Sequence, residues 1–425
     1  MYNMSLSPKH IILPIYFNEI LDSAENKELI IREDILTPDY VPERLIGRDE
    51  QIKEILWYFV SLFRRGFPNN ILIFGDPGCG KTVVSKFVLL GVQEKLKVKP
   101  IDVNFDWVYI HCKKIFNTSS ILFSLIEYLD HDTKIKRSGY SLDYYYNALF
   151  RLMNQQNKAL VIILDEIDFL KSDNILYNFS RAVGNEELKD GRFIRIIGLS
   201  NSRKYEESLD PRVVSSLGFN KLNFPSYNPG EVNQILKDRV ELAFLPDSID
   251  YETLFRFSRE KAKRGGDIRN ALSVLLSAAQ IASKLSCKEI TEVHLKQAEE
   301  IVEKDCIVSS ILTLPLHHKL ILFGIIKATA FKDTVNTGDL TKTYEKICKH
   351  LDIKPSPRSV VSKWISSLDM QGYIQSKTTN TGRIGGVTRI ISISQNYKQN
   401  TARILEGDEE LEGLKDFTLG FFGNM

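Results

Sequence analysis

Cysteine is scarce in this chain. The five present (Cys79, Cys112, Cys287, Cys306 and Cys348) are odd in number and scattered, and none forms a C-x-x-C pair. That excludes a disulfide framework and a zinc site built on paired thiolates, and it points to a reducing interior. No apolar run approaches the length that spans a bilayer, so no membrane partner is expected. The first residues have no charged start, apolar core and small-residue cleavage site, so no secretory leader is expected and a cytoplasmic setting is. Internal repeats and low-complexity tracts are also lacking. Net charge is small, at +2 from 56 basic and 54 acidic residues.

What is present is ordinary in bulk and uneven in detail. With 43% apolar and 26% charged residues the composition suits a soluble globular protein. At 425 residues the chain is too long for one typical core, so two or three domains are expected. The basic residues crowd late. Lys354, Arg358, Lys363, Lys377, Arg383, Arg389, Lys398 and Arg403 share their span with a single acid, Asp369. Glu406, Asp408, Glu409, Glu410 and Glu412 then turn the tail acidic. A local basic block on a nearly neutral chain suggests a dedicated nucleic-acid surface.

The most specific stretch is Gly75-Asp76-Pro77-Gly78-Cys79-Gly80-Lys81-Thr82, followed by Val83, which reads G-x-x-x-x-G-K-T. An apolar run, Asn70 to Phe74, comes before it as a buried strand, and a helix follows from Thr82. Glycines let the backbone close its N–H groups on phosphate oxygens, and the helix N-terminus adds partial positive charge there. Lys81 can reach the β- and γ-phosphates and Thr82 can hold Mg²⁺. Cys79 reads as a small filler. A nucleoside triphosphate, ATP or ADP with Mg²⁺, is the expected ligand.

Further strands are predicted at Trp107–Cys112, Ala159–Leu164, Phe193–Leu199 and Leu222–Phe224, alternating with helices at 50–64, 119–129 and 142–155. A short helical piece is expected at 16–21. This alternation implies an α/β domain with a parallel sheet, whose chemistry sits at the carboxyl ends of the strands. Gly75, Asp165 and Asn201 lie at such ends. Asp165 would steady Mg²⁺, Glu166 would polarise the attacking water and Asn201 would orient it. Four helices are expected between Pro229 and Lys304, as a small helical domain. Three more follow at 315–331, 337–351 and 356–371, then strands at 373–377 and 387–394 around a basic, glycine-rich tip. That pattern suits a winged helix-turn-helix. Arg358, Ser359 and Lys363 would start its reading helix, Arg383 would sit on the wing tip and Arg389 would begin the return strand.

Taken together, these stretches resemble the Walker A, Walker B (Leu164-Asp165-Glu166), sensor 1 (Gly198–Asn201) and sensor 2 (Gly266–Ala271) elements of AAA+ ATPases. The Tyr40-Val41-Pro42-Glu43-Arg44-Leu45 loop, the Asp210-Pro211-Arg212-Val213 segment and the winged helix are similar to those of the archaeal origin-recognition and replication-initiator family, the ORC/Cdc type. The resemblance runs from about Tyr40 to Arg403. It implies an AAA+ nucleotide-binding domain over 1–225, a helical lid over 226–305, a winged helix over 306–403 and an acidic tail over 404–425. It also implies Val41 and Pro42 at the adenine, Tyr227 and Arg239 as lid-side nucleotide contacts, and Arg269 as the sensor 2 arginine. Arg212 would be either an arginine finger toward a neighbour's nucleotide or a structural arginine. The helix at 119–129, flanked by Lys113, Lys114, Lys134, Lys136 and Arg137, would either touch DNA by wedging or shape, or simply pack.

The implied function is a DNA replication initiator, nucleoid-associated, that recognises duplex origin DNA and uses ATP binding and slow hydrolysis as a switch. Its implied partners are origin DNA, a paralogous initiator subunit and the replicative helicase. Two other readings of the same motifs stay open. One is an AAA+ ATPase with a winged helix acting on a protein partner in transposition or defence. The other is a DNA-binding regulator whose nucleotide is structural.

Overall fold

A computed structural model describes residues 29–64, 66–99, 102, 104–189, 191–330, 332–380 and 387–417. The expected helical piece at 16–21 lies outside them. Two compact units part between Glu299 and Glu300.

The first unit is built on a five-stranded parallel sheet. Its strands are β1 Ile71–Gly75, β2 Asn104–His111, β3 Lys158–Asp165, β4 Ile194–Ser200 and β5 Asn220–Phe224, in the order β2-β3-β4-β1-β5. The run from Ala159 to Leu164 has no solvent exposure, because helices cover both faces. Residues that pack those faces are Val88 and Leu89 on one side and Leu125, Tyr145 and Leu149 on the other. Register aligns the strand ends: Phe74 lies beside Ser200, Asp165 beside Leu199, and His111 beside Asp165. β4 lies between β1 and β3, so the loop after β1 and the carboxylates after β3 flank the end of β4.

The helices of this unit are α1 Asp49–Phe59, α2 Lys81–Val98, α3 Thr118–Leu129, α4 Leu142–Gln155, α5 Asn174–Arg181, α6 Pro211–Leu217, α7 Pro229–Ala243, α8 Tyr251–Lys263 and α9 Ile268–Lys284, with α10 Glu292–Leu312 running past its end. Short polar side chains start the later ones. Asp210 caps α6 ahead of Pro211, Asn228 and Glu231 form a reciprocal capping box on α7, and Asp250 and Asp267 cap α8 and α9. Each such cap stabilises its helix by about 1 kcal/mol. The helix over 119–129 buries one face in the core: Ile121, Leu122, Leu125 and Ile126 are fully buried. An apolar wedge from those positions has no side chain left to make it, while Lys113, Lys114, Lys134, Lys136 and Arg137 are exposed. Among the described residues no single helix is long and apolar enough to cross a membrane.

The second unit holds α11 Leu316–Ala328, α12 Thr337–His350, α13 Arg358–Met370 and α14 Gln395–Glu406, with a three-stranded antiparallel sheet ordered β6-β8-β7 from β6 Thr334–Asn336, β7 Gln375–Asn380 and β8 Val387–Ser392. This is a winged helix extended by α14. The residues read as an acidic tail are part of its core as far as Phe417. Leu405, Leu411, Leu414 and Phe417 bury their side chains with Phe323, Tyr344 and Leu368. Two of the tail's acids face a buried cation: Lys319, 3% exposed, lies 2.7 Å from Asp408 and 2.8 Å from Glu410.

Lys319→Met should lower the stability of this unit by about 3 kcal/mol, because removing one partner of a buried pair leaves the other charge uncompensated. Hydrogen exchange of the α11 amides in the full chain measures this, and unchanged protection would contradict it.

Candidate functional site

The loop between β1 and α2 takes its shape from glycine. Gly78 and Gly80 sit at φ of +75° and +91°, where other residues are strained. Space is also closed to any larger residue. A Cβ on Gly78 would collide with the Asp267 carboxylate, one on Gly75 with the Phe224 carbonyl, and one on Gly80 with the Tyr227 hydroxyl. Asp76 accepts a hydrogen bond from Ser226 at 2.8 Å. Cys79 is buried, and that burial pushes its thiol up, so it is an inert filler against Gly75.

Lys81 opens α2 with its ammonium turned back into the loop. It donates to the carbonyls of Gly75 at 2.6 Å and Asp76 at 3.0 Å, and to Asn201 Oδ1 at 3.0 Å. Burial lowers its pKa from the usual lysine value. Thr82 Oγ1 donates to Asp165 Oδ2 at 2.8 Å, and Tyr109 donates to the same oxygen at 2.9 Å. The other Asp165 oxygen accepts from the Glu166 N–H at 2.9 Å. Burial, and then the Asp165 charge, push the Tyr109 phenol well up, so it remains a donor.

Glu166 is held in the left-handed region at φ 52°. Its Oε2 lies 3.7 Å from His111 Nδ1, and neither atom hydrogen-bonds to another described residue. Asn201 is carried by the end of β4, which Asp168 fixes by accepting from Ser200 Oγ at 2.7 Å. Thus Lys81, Thr82, Asp165, Glu166 and Asn201 converge. Their donor set of one ammonium, hard oxygen ligands and backbone N–H groups fits phosphate and a divalent cation such as Mg²⁺.

These groups form one wall of a cleft of about 520 Å³. Tyr40, Pro42, Val83, Tyr227, Arg239 and Arg269 line it as well, whereas Val41 does not. Arg239 is 9% exposed, with its guanidinium 4.4 Å from the Tyr40 ring centre, and burial lowers its pKa. Arg269, in the first turn of α9, keeps 56% of its side chain exposed. Arg212 is not part of this cleft. It lies on the surface with its side chain 83% exposed, and donates twice to Asp210, whose carboxyl it pulls down to about 2.

In the second unit Arg358, Ser359 and Lys363 are exposed along the start of α13. Arg389 is half-buried and donates to Ser366 Oγ on α13 at 2.7 Å, which ties the wing strand to the helix. Arg383 lies outside the described residues. Lys398, counted with the basic block, is 7% exposed and donates to the Thr329 carbonyl, so it does not belong to an outer surface. Asp369 accepts from the N–H and hydroxyl of Ser376, which makes the block's one acid a brace for the hairpin.

Sequence reasoning passed over Arg48, Tyr109, His111 and Asp168. Tyr109 and His111 alternate with core residues on a strand end beside β3, and that adjacency was the signal available for them. Asp168 lies two residues beyond the Leu164-Asp165-Glu166 stretch.

A parallel sheet with its glycine loop, its paired carboxylates, a helical lid and a separate winged helix defines an AAA+ P-loop ATPase with a DNA-binding type of appendage. Comparison with known proteins narrows the class. Residues 66–198 match the AAA domain, 233–300 the Cdc6 AAA+ ATPase-type lid domain, and 309–401 the CDC6 C-terminal winged helix domain. The chain is 35% identical to ORC1-type DNA replication protein 1 of Sulfurisphaera tokodaii over 94% of its length and 98% of that protein. It is 33% identical to the ORC1-type DNA replication protein of Pyrococcus furiosus over 92% of its length and 93% of the relative. Among solved structures, the Aeropyrum pernix Orc1 protein in complex with DNA superposes with a TM-score of 0.75 at 29% identity, over 89% of this chain and 97% of that one. The chain therefore belongs to the ORC1-type DNA replication protein family.

The glycines give a paired test. Gly78→Ala should cost about 2 kcal/mol, from a strained φ and the displaced Asp267 cap. Gly91→Ala, in α2, meets nothing within 4 Å and should stabilise by about 0.5–1 kcal/mol. Denaturant unfolding of both variants checks the contrast in sign.

Proposed function

We propose that the chain is a DNA replication initiator that recognises duplex origin DNA through its winged helix and uses ATP binding and slow hydrolysis as a switch. The observation that carries this reading is the convergence of Lys81, Thr82, Asp165, Glu166 and Asn201 on one cleft, in a chain whose α13 presents Arg358, Ser359 and Lys363 to solvent.

Lys81 would trade the Gly75 and Asp76 carbonyls for phosphate oxygens, backed by the loop N–H groups and the α2 N-terminus. Thr82 and Asp165 would hold Mg²⁺, which when bound neutralises charge on the phosphates. Glu166 would polarise the attacking water and Asn201 would orient it. Pro42 would contact the base, while Tyr227, Arg239 and Arg269 would contact the nucleotide from the lid side. Arg212, exposed on α6, would reach a neighbour's nucleotide. The neighbour would be a paralogous initiator subunit, and the replicative helicase is the downstream partner.

Nucleotide titration and turnover assays test the first half. Lys81→Ala should lose tight ADP binding, since burial leaves the phosphates dependent on that ammonium. Glu166→Gln should keep ATP binding and lose hydrolysis, because an amide cannot accept the water's proton. Wild-type ADP affinity in the lysine variant, or lost binding in the glutamine variant, would contradict the assignment.

Salt titrations test the second half. Removing a base contact costs roughly 1–3 kcal/mol on the cognate site, whereas removing a phosphate contact weakens every duplex and lowers the salt slope by about one. Arg358→Ala should hurt cognate duplex more than random duplex. Arg383→Ala should weaken both alike, with a shallower salt dependence. If neither variant alters affinity, the winged helix is not the DNA reader and a protein-directed ATPase becomes the better reading.

A further inference from the structure

Arg48 is among the largest fully buried side chains, at 1% exposure, and it does not line the cleft. Its close hydrogen bonds end on backbone carbonyls. Nε and Nη2 both donate to Cys79 O, at 3.0 and 2.9 Å, Nη2 also donates to Pro225 O at 2.8 Å, and Nη1 donates to Gly47 O at 2.7 Å. Its guanidinium stacks on Tyr227, 3.6 Å from the ring centre, and the Tyr227 hydroxyl fills the space where a Gly80 side chain would be. Gly47, at φ +65°, turns the chain inward here, and a Cβ on it would run into Glu231, the capping-box residue of α7.

A neutral side chain of similar volume would fill this space without the cost of desolvating a charge. The charge acts on the group it touches twice, the Cys79 carbonyl. In a trans peptide the carbonyl and the following N–H point in opposite directions. Cys79 C=O is directed at Arg48, away from the cleft, so the Gly80 N–H is directed toward it. Charge-assisted bonds to that carbonyl also polarise the peptide and strengthen its N–H as a donor. The same guanidinium grips Pro225 and Tyr227, the segment that leads into α7.

We propose that Arg48 is a positioning residue of the phosphate loop. It fixes the Cys79–Gly80 peptide with its N–H toward the phosphates and ties that peptide to the start of the lid, so that phosphate occupancy and the 225–228 segment are coupled. This rests on the nucleotide-binding reading above.

The test uses the full chain and compares wild type with Arg48→Lys and Arg48→Gln. Fluorescent ADP is titrated directly and displaced with unlabelled ADP, inorganic pyrophosphate and adenosine. Lysine keeps the charge but cannot hold Cys79 O and Pro225 O while stacking on Tyr227. Both variants should lose tenfold or more in affinity for ADP and pyrophosphate and stay within twofold of wild type for adenosine. Unchanged ADP affinity, or equal losses for ADP and adenosine, overturns the proposal, since the second is what general loosening gives. A wild-type chain that binds neither ADP nor pyrophosphate sinks the nucleotide reading, and this inference with it. Should neither variant fold, hydrogen exchange of the wild type decides. ADP should slow exchange at 45–49 and 225–228 together with 75–82, and protection confined to 75–82 overturns the coupling.

Discussion

The Thr82 hydroxyl and the Asp165 carboxylate meet at 2.8 Å across the end of β4. This bond joins the loop after β1 to the turn after β3, two strands that are not neighbours in the sheet. It forms because the strand order inserts β4 between them and because register brings all three ends to one level. Everything else at the site hangs from that arrangement. Asn201 falls between the two walls because it ends the intervening strand, and so it meets Lys81. Glu166 follows Asp165 in a left-handed turn that directs its carboxylate to the other side, toward His111 on β2. A different strand order with the same motifs would scatter these groups along the sheet edge.

Burial decides the chemical character of the cleft. Lys81 and Arg239 in its lining, and Arg48 behind the phosphate loop, are each less than a tenth exposed, and all three sit against backbone carbonyls or aromatic rings. Buried cations held by dipoles keep a net positive potential, since carbonyls orient toward a charge without cancelling it. An anion that enters such a cleft completes the pairing. Of the two carboxylates nearby, Asp165 accepts from two hydroxyls and an N–H, and Glu166 is directed toward His111 on β2.

The parts of this molecule that were legible in the sequence are those where local chemistry allows one solution. A glycine loop between a strand and a helix demands backbone freedom that few other contexts need, and a carboxylate pair ending a fully apolar run has few roles. The parallel sheet, the lid helices and the winged helix followed from periodicity. Other features were opaque for physical reasons. Arg48 lies three residues past the Tyr40–Leu45 loop, but an arginine's target is set by the fold around it, here a carbonyl 31 residues away. The short helices α5 and α6 have too few turns to show a period. Leu405, Leu411, Leu414 and Phe417 are spaced irregularly among acids, so the segment read as an acidic tail although it packs into a core. Lys398 and Arg389 counted toward a basic surface, yet one is buried against Thr329 and the other braces α13. Charge is visible in a sequence, and exposure is visible only once the chain is folded.

That distinction separates the two proposed binding activities. Of the cations in the cleft, Lys81 and Arg239 are buried, where mobile ions screen them little, whereas Arg269 keeps 56% of its side chain exposed. Those on α13 are exposed, and contacts from such groups to a polyanion weaken steeply as salt rises, because binding releases condensed counterions. On that proposal one chain would carry two phosphate-binding devices that differ in their response to the medium. A nucleotide held at the cleft would persist across ionic conditions that load or strip the winged helix. Such a difference in salt response would suit a protein whose nucleotide state is set first and whose DNA contacts are made and released afterward.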